Sequence, residues 1–216
     1  MSNPPPRALI LDFDGTMLDT ERVVYEAWRE FYEREGQHLS VEDWLAAVGY
    51  VNGFDPRAHL EKLTGRGFHW PDHDTWLSRR TLEFVMPLPP FPGVRALLEN
   101  GTRAGYRIGC ASNSSADWVL PGLERLGLRG FFQVVRTRET VTHHKPAPDV
   151  YLAALADLGV TDPAGSIAFE DSEPGVRAAK AAGLYVVAVP HALTRHQDLS
   201  LADELRDTLE GYELPT

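Results

Sequence analysis

Two carboxylates follow an apolar run near the start of the chain, in Ala8-Leu9-Ile10-Leu11-Asp12-Phe13-Asp14-Gly15-Thr16. Four apolar residues in succession are typical of a strand that is buried on both faces, as strands of a parallel sheet are. Ligands of open parallel sheets bind beyond the carboxyl ends of the strands, so Asp12 and Asp14 stand where chemistry is expected. A polar turn is the alternative interpretation, because Asp and Gly are common in turns.

Further apolar runs, separated by helical patterns, lie along the rest of the chain. We predict strands at residues 107–111, 131–135, 167–169 and 184–189. Helices are predicted at residues 93–98, 148–158 and 174–182. Alternation of strands and helices implies right-handed crossovers, so we expect an α/β fold built on a doubly wound parallel sheet.

A long block between the first two predicted strands has no convincing strand pattern. Its apolar residues recur at helical spacing across residues 21–88. Roughly 65 residues are too many for a connection within a compact domain, so the block should form a small domain of its own. The predicted domains are therefore a core at residues 1–19 and 89–216 and an all-helical insertion at residues 20–88.

A second pair of acids, Glu170 and Asp171, follows another of the predicted strands. Four acids at two neighbouring strand ends repel one another, and carboxylates placed in this way need a cation. Oxygen ligands suit Mg²⁺, which also favours phosphate oxygens. The two acid pairs therefore predict a magnesium site, with two unrelated surface turns as the alternative.

A serine and a lysine extend the same pattern. Ser112 directly follows the predicted strand at 107–111, and Lys145 begins a proline-containing turn ahead of a predicted helix. An ammonium at this place would cancel charge on a phosphate or on a nucleophile. Either residue alone would more often be a solvated surface side chain. Their order along the chain (acid pair, Ser, Lys, acid pair) indicates one site at the carboxyl edge of the sheet.

These motifs resemble those of the haloacid dehalogenase superfamily of hydrolases, in the subgroup of β-phosphoglucomutase and the phosphoglycolate-type phosphatases. The matched segments are 12–16, Ser112-Asn113, 145–149 and 170–172, followed by Gly175 and Ala178-Ala179. All four family motifs occur in order across roughly residues 7–190. The resemblance implies a Rossmann-like core with an inserted helical cap, with hinges at Asp19-Thr20 and at residues 87–92.

The resemblance also implies a role for each acid. Asp12 would be the nucleophile that becomes an aspartyl-phosphate. Asp14 would protonate the leaving oxygen and then activate water. Asp12, the main-chain carbonyl of Asp14 and Asp171 would hold Mg²⁺, with Glu170 as a ligand or directly behind the ligands.

The remaining matched residues would bind phosphate. Ser112, the Asn113 amide and Lys145 would contact phosphate oxygens, and Thr16 would assist near the nucleophile. Dehalogenases of this superfamily generally lack an acid two residues after the nucleophile, because a halide leaves without a proton. Asp14 therefore favours phosphate chemistry.

The expected function is Mg²⁺-dependent hydrolysis of a small phosphorylated metabolite, of the sugar phosphate or phosphoglycolate type. The alternatives are a β-phosphoglucomutase-like phosphomutase, a non-catalytic phosphate-binding protein on the same scaffold, and a phospho-accepting signalling receiver. The mutases carry a His on the first cap helix, where an ungapped alignment places Val24, and this favours a phosphatase. Arg57, Arg79 and Arg80 are candidate anion contacts from the cap, although solvated helix charges are commoner.

Composition limits the partners that we expect. The net charge of −10 argues against a broad surface for nucleic acid or anionic membranes. No apolar stretch reaches the roughly 18 residues that cross a bilayer, and residues 1–7 lack the apolar segment of a signal peptide. Cys110 is the single cysteine, which excludes an intrachain disulfide. We expect a cytoplasmic enzyme that is a monomer or a weak homodimer.

Overall fold

The computed structural model describes residues 7–45 and 53–215, and within these residues six strands form one parallel sheet. The strands are β1 (Ala8–Leu11), β2 (Arg107–Ala111), β3 (Val134–Arg136), β4 (Ile167–Glu170), β5 (Tyr185–Ala188) and β6 (Glu204–Leu205). Their order in the sheet is β3-β2-β1-β4-β5-β6. The chain builds outward from β1 in one direction and then returns to build outward from β4 in the other. The point of reversal lies between β1 and β4, where ligands of such sheets bind.

The chain divides into two compact units. The larger unit consists of Met1–Leu18 and Pro89–Thr216, and the smaller unit is Asp19–Leu88. The larger unit contains the sheet and four helices among its described residues, α5 (Val94–Arg103), α6 (Ala116–Arg125), α7 (Asp149–Asp157) and α8 (Glu173–Ala181). The predicted fold class, a doubly wound parallel α/β sheet, is confirmed.

Strand β1 is covered on both faces, which explains its uninterrupted apolar sequence. Ala8 and Ile10 join the hydrophobic cluster that α7 and α8 form on one face. Leu9 points to the opposite face, where a Cβ placed on Gly101 of α5 would lie 2.3 Å from its Cδ1 atom. Because β1 is central and fully buried, the loop that follows it starts from a rigid position.

The strand predicted at residues 131–135 is wrong at its beginning. Residues Arg129–Phe131 form a short 3₁₀ turn, and β3 starts at Val134. The Phe131 N–H bonds to the Leu128 carbonyl at 3.0 Å, so this backbone is satisfied locally rather than by the sheet. Apolar side chains that pack beside a sheet give the same sequence pattern as a buried strand. Strand β6 was not predicted, because its two residues are not an apolar run.

Among the described residues of the smaller unit, 19–45 and 53–88, all of the regular secondary structure is helical. Its helices are α1 (Thr20–Arg34), α2 (Val41–Leu45), α3 (Pro56–Thr64) and α4 (Trp70–Val85). The Asp55 carboxylate caps α3 by accepting hydrogen bonds from two backbone N–H groups, and Gly65 ends it with a φ of 68°. Phe31 is fully buried, and several aromatic rings, including that of Trp76, pack around it.

Each of the three candidate anion-binding arginines is already in an ion pair within the smaller unit. Arg57 lies 2.7 Å from Asp74. Arg79 lies 3.6 Å from Glu83. Arg80 bonds to Glu30 at 2.5 Å and also contacts Glu83. Arg57 and Arg80 therefore connect pairs of helices, whereas Arg79 pairs within α4. No helix in the described part of the chain is long and apolar enough to span a bilayer.

Candidate active site

Three buried carboxylates meet at the carboxyl ends of β1 and β4. Asp12 directly follows β1, Glu170 ends β4, and Asp171 comes next. Each offers one oxygen, and these oxygens lie within 4.8 Å of one another. The Asp12 N–H donates to the Phe169 carbonyl at 3.0 Å, so the parallel ladder itself sets the separation of the acid pairs. Of the four predicted acids, the structure therefore brings Asp12 together with Glu170 and Asp171.

Lys145 provides a buried positive charge to this cluster. Its Nζ donates to Asp12 Oδ1 at 2.5 Å and to Glu170 Oε1 at 2.7 Å. Asn113 fixes the lysine backbone, because its Oδ1 accepts from the Lys145 N–H at 2.9 Å. Burial lowers the pKa of Lys145, but the charges of Asp12 and Glu170 outweigh burial and raise it, so the side chain stays protonated.

The cluster has more negative than positive charge. Among the described residues, the cluster holds three acids, Asp12, Glu170 and Asp171, and the ammonium of Lys145 pairs with the first two. His191, beside Asp171, adds positive charge only when protonated. Burial raises the pKa of Asp12, and the neighbouring carboxylates raise it further against the opposing effect of Lys145. A further cation at the cluster would favour the ionised form of Asp12.

The donor set fits a divalent metal ion. All three candidate ligands are carboxylate oxygens, which hard cations such as Mg²⁺ and Ca²⁺ prefer. Metal charge would also balance the excess of negative charge at the buried cluster. Asp12 and Asp171 have the fewest competing contacts. Each Glu170 oxygen already accepts two hydrogen bonds. Lys145 and Tyr151 donate to Oε1, and the Asp171 N–H and, at a long 3.5 Å, the Ser172 hydroxyl donate to Oε2.

Two glycines leave room for the acids. A Cβ at Gly15, where φ is 75°, would lie 2.4 Å from Asp171 Oδ2. A Cβ at Gly175, in the first turn of α8, would lie 2.0 Å from Glu170 Oε2. Any larger residue at either position would force the backbone or a neighbouring side chain to move, so both glycines leave space that the acids occupy.

Asp14 lies outside the carboxylate cluster and faces β2 and α6. Its Oδ2 accepts from Ser114 Oγ at 2.6 Å and from Ser112 Oγ at a long 3.4 Å. Its Oδ1 accepts from Trp118 Nε1 at 2.8 Å. Of the residues predicted for phosphate binding, Ser112 is therefore placed beside the second acid. Thr16 instead donates to Asp171 Oδ1 at 3.1 Å.

Four residues that contact the acids directly were not predicted from the sequence. Tyr151 donates to Glu170 Oε1 at 2.5 Å, and His191 Nε2 lies 3.1 Å from Asp171 Oδ2. Ser114 and Trp118 contact Asp14. His191 has a recognisable signal, since it stands three residues beyond the end of β5. Tyr151 has none, because it reads as an ordinary apolar-face residue of α7.

Comparison with known proteins assigns the chain to a family. Residues 9–189 match the family described as haloacid dehalogenase-like hydrolase. The chain belongs to this family. Like the resemblance read from the motifs, the match covers the sheet from β1 to β5 together with the inserted helical segment.

Relatives in the haloacid dehalogenase-like family include both sequences and solved structures. The chain is 38% identical to YhcW of Bacillus subtilis over 188 residues, 87% of this chain and 85% of that protein. It is 34% identical to the fructose-1-phosphate phosphatase YqaB of Escherichia coli over 187 residues, 84% of this chain and 95% of that protein. The structure of CbbY from Rhodobacter sphaeroides in complex with phosphate has a TM-score of 0.75 and 29% identity, covering 95% of this chain and 96% of CbbY.

Proposed function

We propose that this chain is a Mg²⁺-dependent phosphatase that hydrolyses a small phosphorylated metabolite through an aspartyl-phosphate at Asp12. The observation that carries this proposal is the pairing of buried Asp12 with Lys145 at 2.5 Å inside a cluster of three carboxylates. A buried carboxylate next to a buried ammonium is suited to attack an anionic group. The family match supports hydrolysis as the reaction.

Charge is the main obstacle to the first step. A carboxylate that approaches a phosphate dianion is repelled by about 4 kcal/mol per unit-charge pair at 4 Å, at an effective dielectric constant of 20. Lys145 offsets this repulsion from within the site. Bound Mg²⁺, held by Asp12, Asp171 and the Asp14 carbonyl with Glu170 behind them, would supply further positive charge.

The proposed reaction has two displacements at phosphorus. An Asp12 oxygen bonds to phosphorus as the bond to the leaving alcohol oxygen breaks, and Asp14 gives that oxygen its proton. Asp14 then takes a proton from water, which attacks the same phosphorus and frees Asp12 and inorganic phosphate. Covalent capture splits one difficult displacement into two easier ones. Ser112, the Asn113 amide and Lys145 hold the phosphate oxygens, and Thr16 steadies Asp171.

The family and a named relative support the proposed substrate class. A relative that is 34% identical is named a fructose-1-phosphate phosphatase, which supports a sugar phosphate. We assign residues 20–88 as the cap that reads the rest of the substrate, with hinges at Asp19-Thr20 and at residues 87–92. We also propose a cytoplasmic enzyme, a monomer or weak homodimer, without nucleic-acid or membrane partners.

The test of this function is phosphate release from a panel of sugar phosphates and phosphoglycolate in the presence of Mg²⁺. Wild-type protein should turn over at least one of these esters, and Asp12→Asn should lower kcat at least a thousandfold while its circular dichroism spectrum stays unchanged. Substantial activity in the variant would contradict the nucleophile assignment. Absence of turnover by wild-type protein across the panel would favour a phosphate-binding protein instead.

A phosphomutase shares the aspartyl-phosphate step, so the products must be identified. We expect inorganic phosphate to accumulate from β-glucose 1-phosphate more slowly than from the preferred ester, without glucose 6-phosphate. Phosphorus NMR of the reaction mixture distinguishes the two products. Glucose 6-phosphate that accumulates faster than free phosphate would make the protein a mutase.

A further inference from the structure

The carboxylate of Asp14 is held on both of its oxygens. Trp118 Nε1 donates to Oδ1 at 2.8 Å, and Ser114 Oγ bonds to Oδ2 at 2.6 Å. Ser112 Oγ lies at a weaker 3.4 Å from Oδ2. Asp14, Ser114 and Trp118 are all half-buried, so these contacts compete with water less than surface contacts do.

Helix α6 is built to bring Trp118 to this position. Gly122 lies four residues after Trp118, which places both on one face of the helix. A Cβ at Gly122 would lie 2.4 Å from Cζ of Phe13, so the glycine lets α6 approach the buried Phe13 ring closely. Neighbouring residues on the loop after β1 therefore meet successive turns of α6, Phe13 at Gly122 and Asp14 at Trp118.

The two donors differ in what they permit. An indole N–H can only donate, whereas a serine hydroxyl can donate or accept. Oδ1 therefore keeps an acceptor lone pair for Trp118 in both protonation states of Asp14. A proton on Oδ2 is compatible with both contacts, because Ser114 Oγ can turn from donor to acceptor.

We propose that Trp118 is a positioning residue that, together with Ser114, fixes the Asp14 carboxyl group for proton transfer. The inference rests on the proposed function, in which Asp14 protonates the leaving oxygen and later accepts a proton from water. Proton transfer requires heavy atoms within hydrogen-bond reach, so a freely rotating carboxyl group would be out of place for much of the time.

The test compares two leaving groups in Trp118→Phe, which keeps an aromatic ring and removes the N–H donor. An alkyl phosphate such as fructose 1-phosphate needs a proton on its leaving oxygen, whereas p-nitrophenyl phosphate releases a stable phenolate without one. General acid catalysis contributes about 10²–10⁴-fold. We expect kcat/KM to fall about tenfold or more for the alkyl ester and less than about threefold for the aryl ester.

Controls separate positioning from packing. Val119→Ala truncates a fully buried residue of α6 that has no polar group, so it should change kcat/KM for both esters by the same factor. Ser114→Ala is the second variant, in case Trp118→Phe fails to fold, and it should also affect the alkyl ester selectively. In an Asp14→Asn background, Trp118→Phe should cause no further loss on the alkyl ester.

Each outcome decides the matter. Equal factors for the two esters in folded Trp118→Phe or Ser114→Ala would show a purely structural role and overturn the inference. Additional loss in the Asp14→Asn background would also overturn it. Failure of wild-type protein to hydrolyse any alkyl phosphate of the panel or the aryl ester would refute the proposed function itself, a result distinct from both.

Discussion

At the residue scale, the site is defined by charges that the fold has removed from water. Lys145 and Glu170 are separated by 25 positions in the sequence and Lys145 and Asp12 by 133, and all three side chains are buried in contact. A buried ion pair is weak evidence for added stability, but removal of one partner leaves an uncompensated charge. The lysine should therefore matter to folding as well as to catalysis.

Substitution of Lys145 by Met should abolish phosphatase activity and lower the free energy of unfolding by about 3 kcal/mol, because two carboxylates lose their buried partner. The effect should depend on pH. The pKa of Asp12 is raised in the folded protein, so between the unfolded-state pKa and this higher value the folded protein binds more protons than the unfolded chain. The free energy of unfolding therefore falls as pH rises from the lower pKa to the higher one. Urea unfolding at pH 5 and pH 8 should show a smaller loss at pH 5.

Lys180→Met is the matched control for that experiment. Lys180 bonds to Asp203 at 2.7 Å, but both side chains are partly exposed, at 33% and 29%. Partly exposed pairs of this kind contribute little, so the control should keep wild-type activity and change stability by less than about 1 kcal/mol. Equal losses in the two lysine variants would contradict the buried-charge argument.

At the element scale, each strand end delivers one part of the site. Strands β1, β2 and β4 are predictable because the buried part of each is a run of apolar or small residues, and helices α7 and α8 because a glycine follows each of them. Helix α6 was not predicted, and Pro121 inside it is a residue that ordinarily argues against a helix. The helix forms because its buried face packs against the rest of the larger unit. This contact cannot be recognised from the local sequence.

Gly175→Ala tests how closely α8 approaches β4. The added Cβ would fall 2.0 Å from Glu170 Oε2, and Glu170 is fully buried, so the first turn of α8 or the carboxylate must move. Overpacking of this kind costs about 1–3 kcal/mol. We expect a lower thermal midpoint, by several degrees, and reduced activity.

Gly130→Ala is the control for this helix experiment. A Cβ at Gly130 meets no atom within 4 Å, and its φ is not in the left-handed region. The thermal midpoint of the Gly130→Ala protein should stay within about one degree of that of the wild-type protein. A Gly175→Ala protein as stable and active as this control would mean that α8 does not constrain Glu170.

At the scale of the whole molecule, the reversal of strand order between β1 and β4 creates the site. Both acid pairs lie at that reversal, with β2 adding Ser112 and the loop before α7 adding Lys145. Parallel strands point the same way, so residues that follow different strands collect at one edge. This topology concentrates negative charge, and the cost is balanced only when a cation binds.

Removal of Mg²⁺ should therefore lower the free energy of unfolding by an amount that grows with the logarithm of the free Mg²⁺ concentration relative to the dissociation constant. At about 100 times its dissociation constant, a ligand adds about 2.7 kcal/mol to the folded state. A protein of this size gains about 2–4 °C per kcal/mol, so Mg²⁺ should raise the thermal midpoint of the larger unit by about 5–10 °C relative to EDTA.

Asp171→Asn should abolish this Mg²⁺-dependent rise, whereas Asp207→Asn should retain it. Asp171 is buried in the cluster, and the Asp207 side chain is 92% exposed. Differential scanning fluorimetry with and without EDTA measures both. A full Mg²⁺ shift in Asp171→Asn would remove this residue from the metal site.

Local sequence was sufficient for the fold class, for most of the strands and for the acids, serine and lysine of the site. Burial on both faces imposes apolar runs, and chemistry at a strand end imposes polar residues directly after them. The partners of those polar residues depend on side chains that cross between elements. Asp14 meets Trp118 across 104 positions and Lys145 meets Asp12 across 133, and such contacts leave no periodic signal in the chain. Only three-dimensional packing brings these pairs together, because helix approach and strand order, rather than local propensity, set the distances between their atoms.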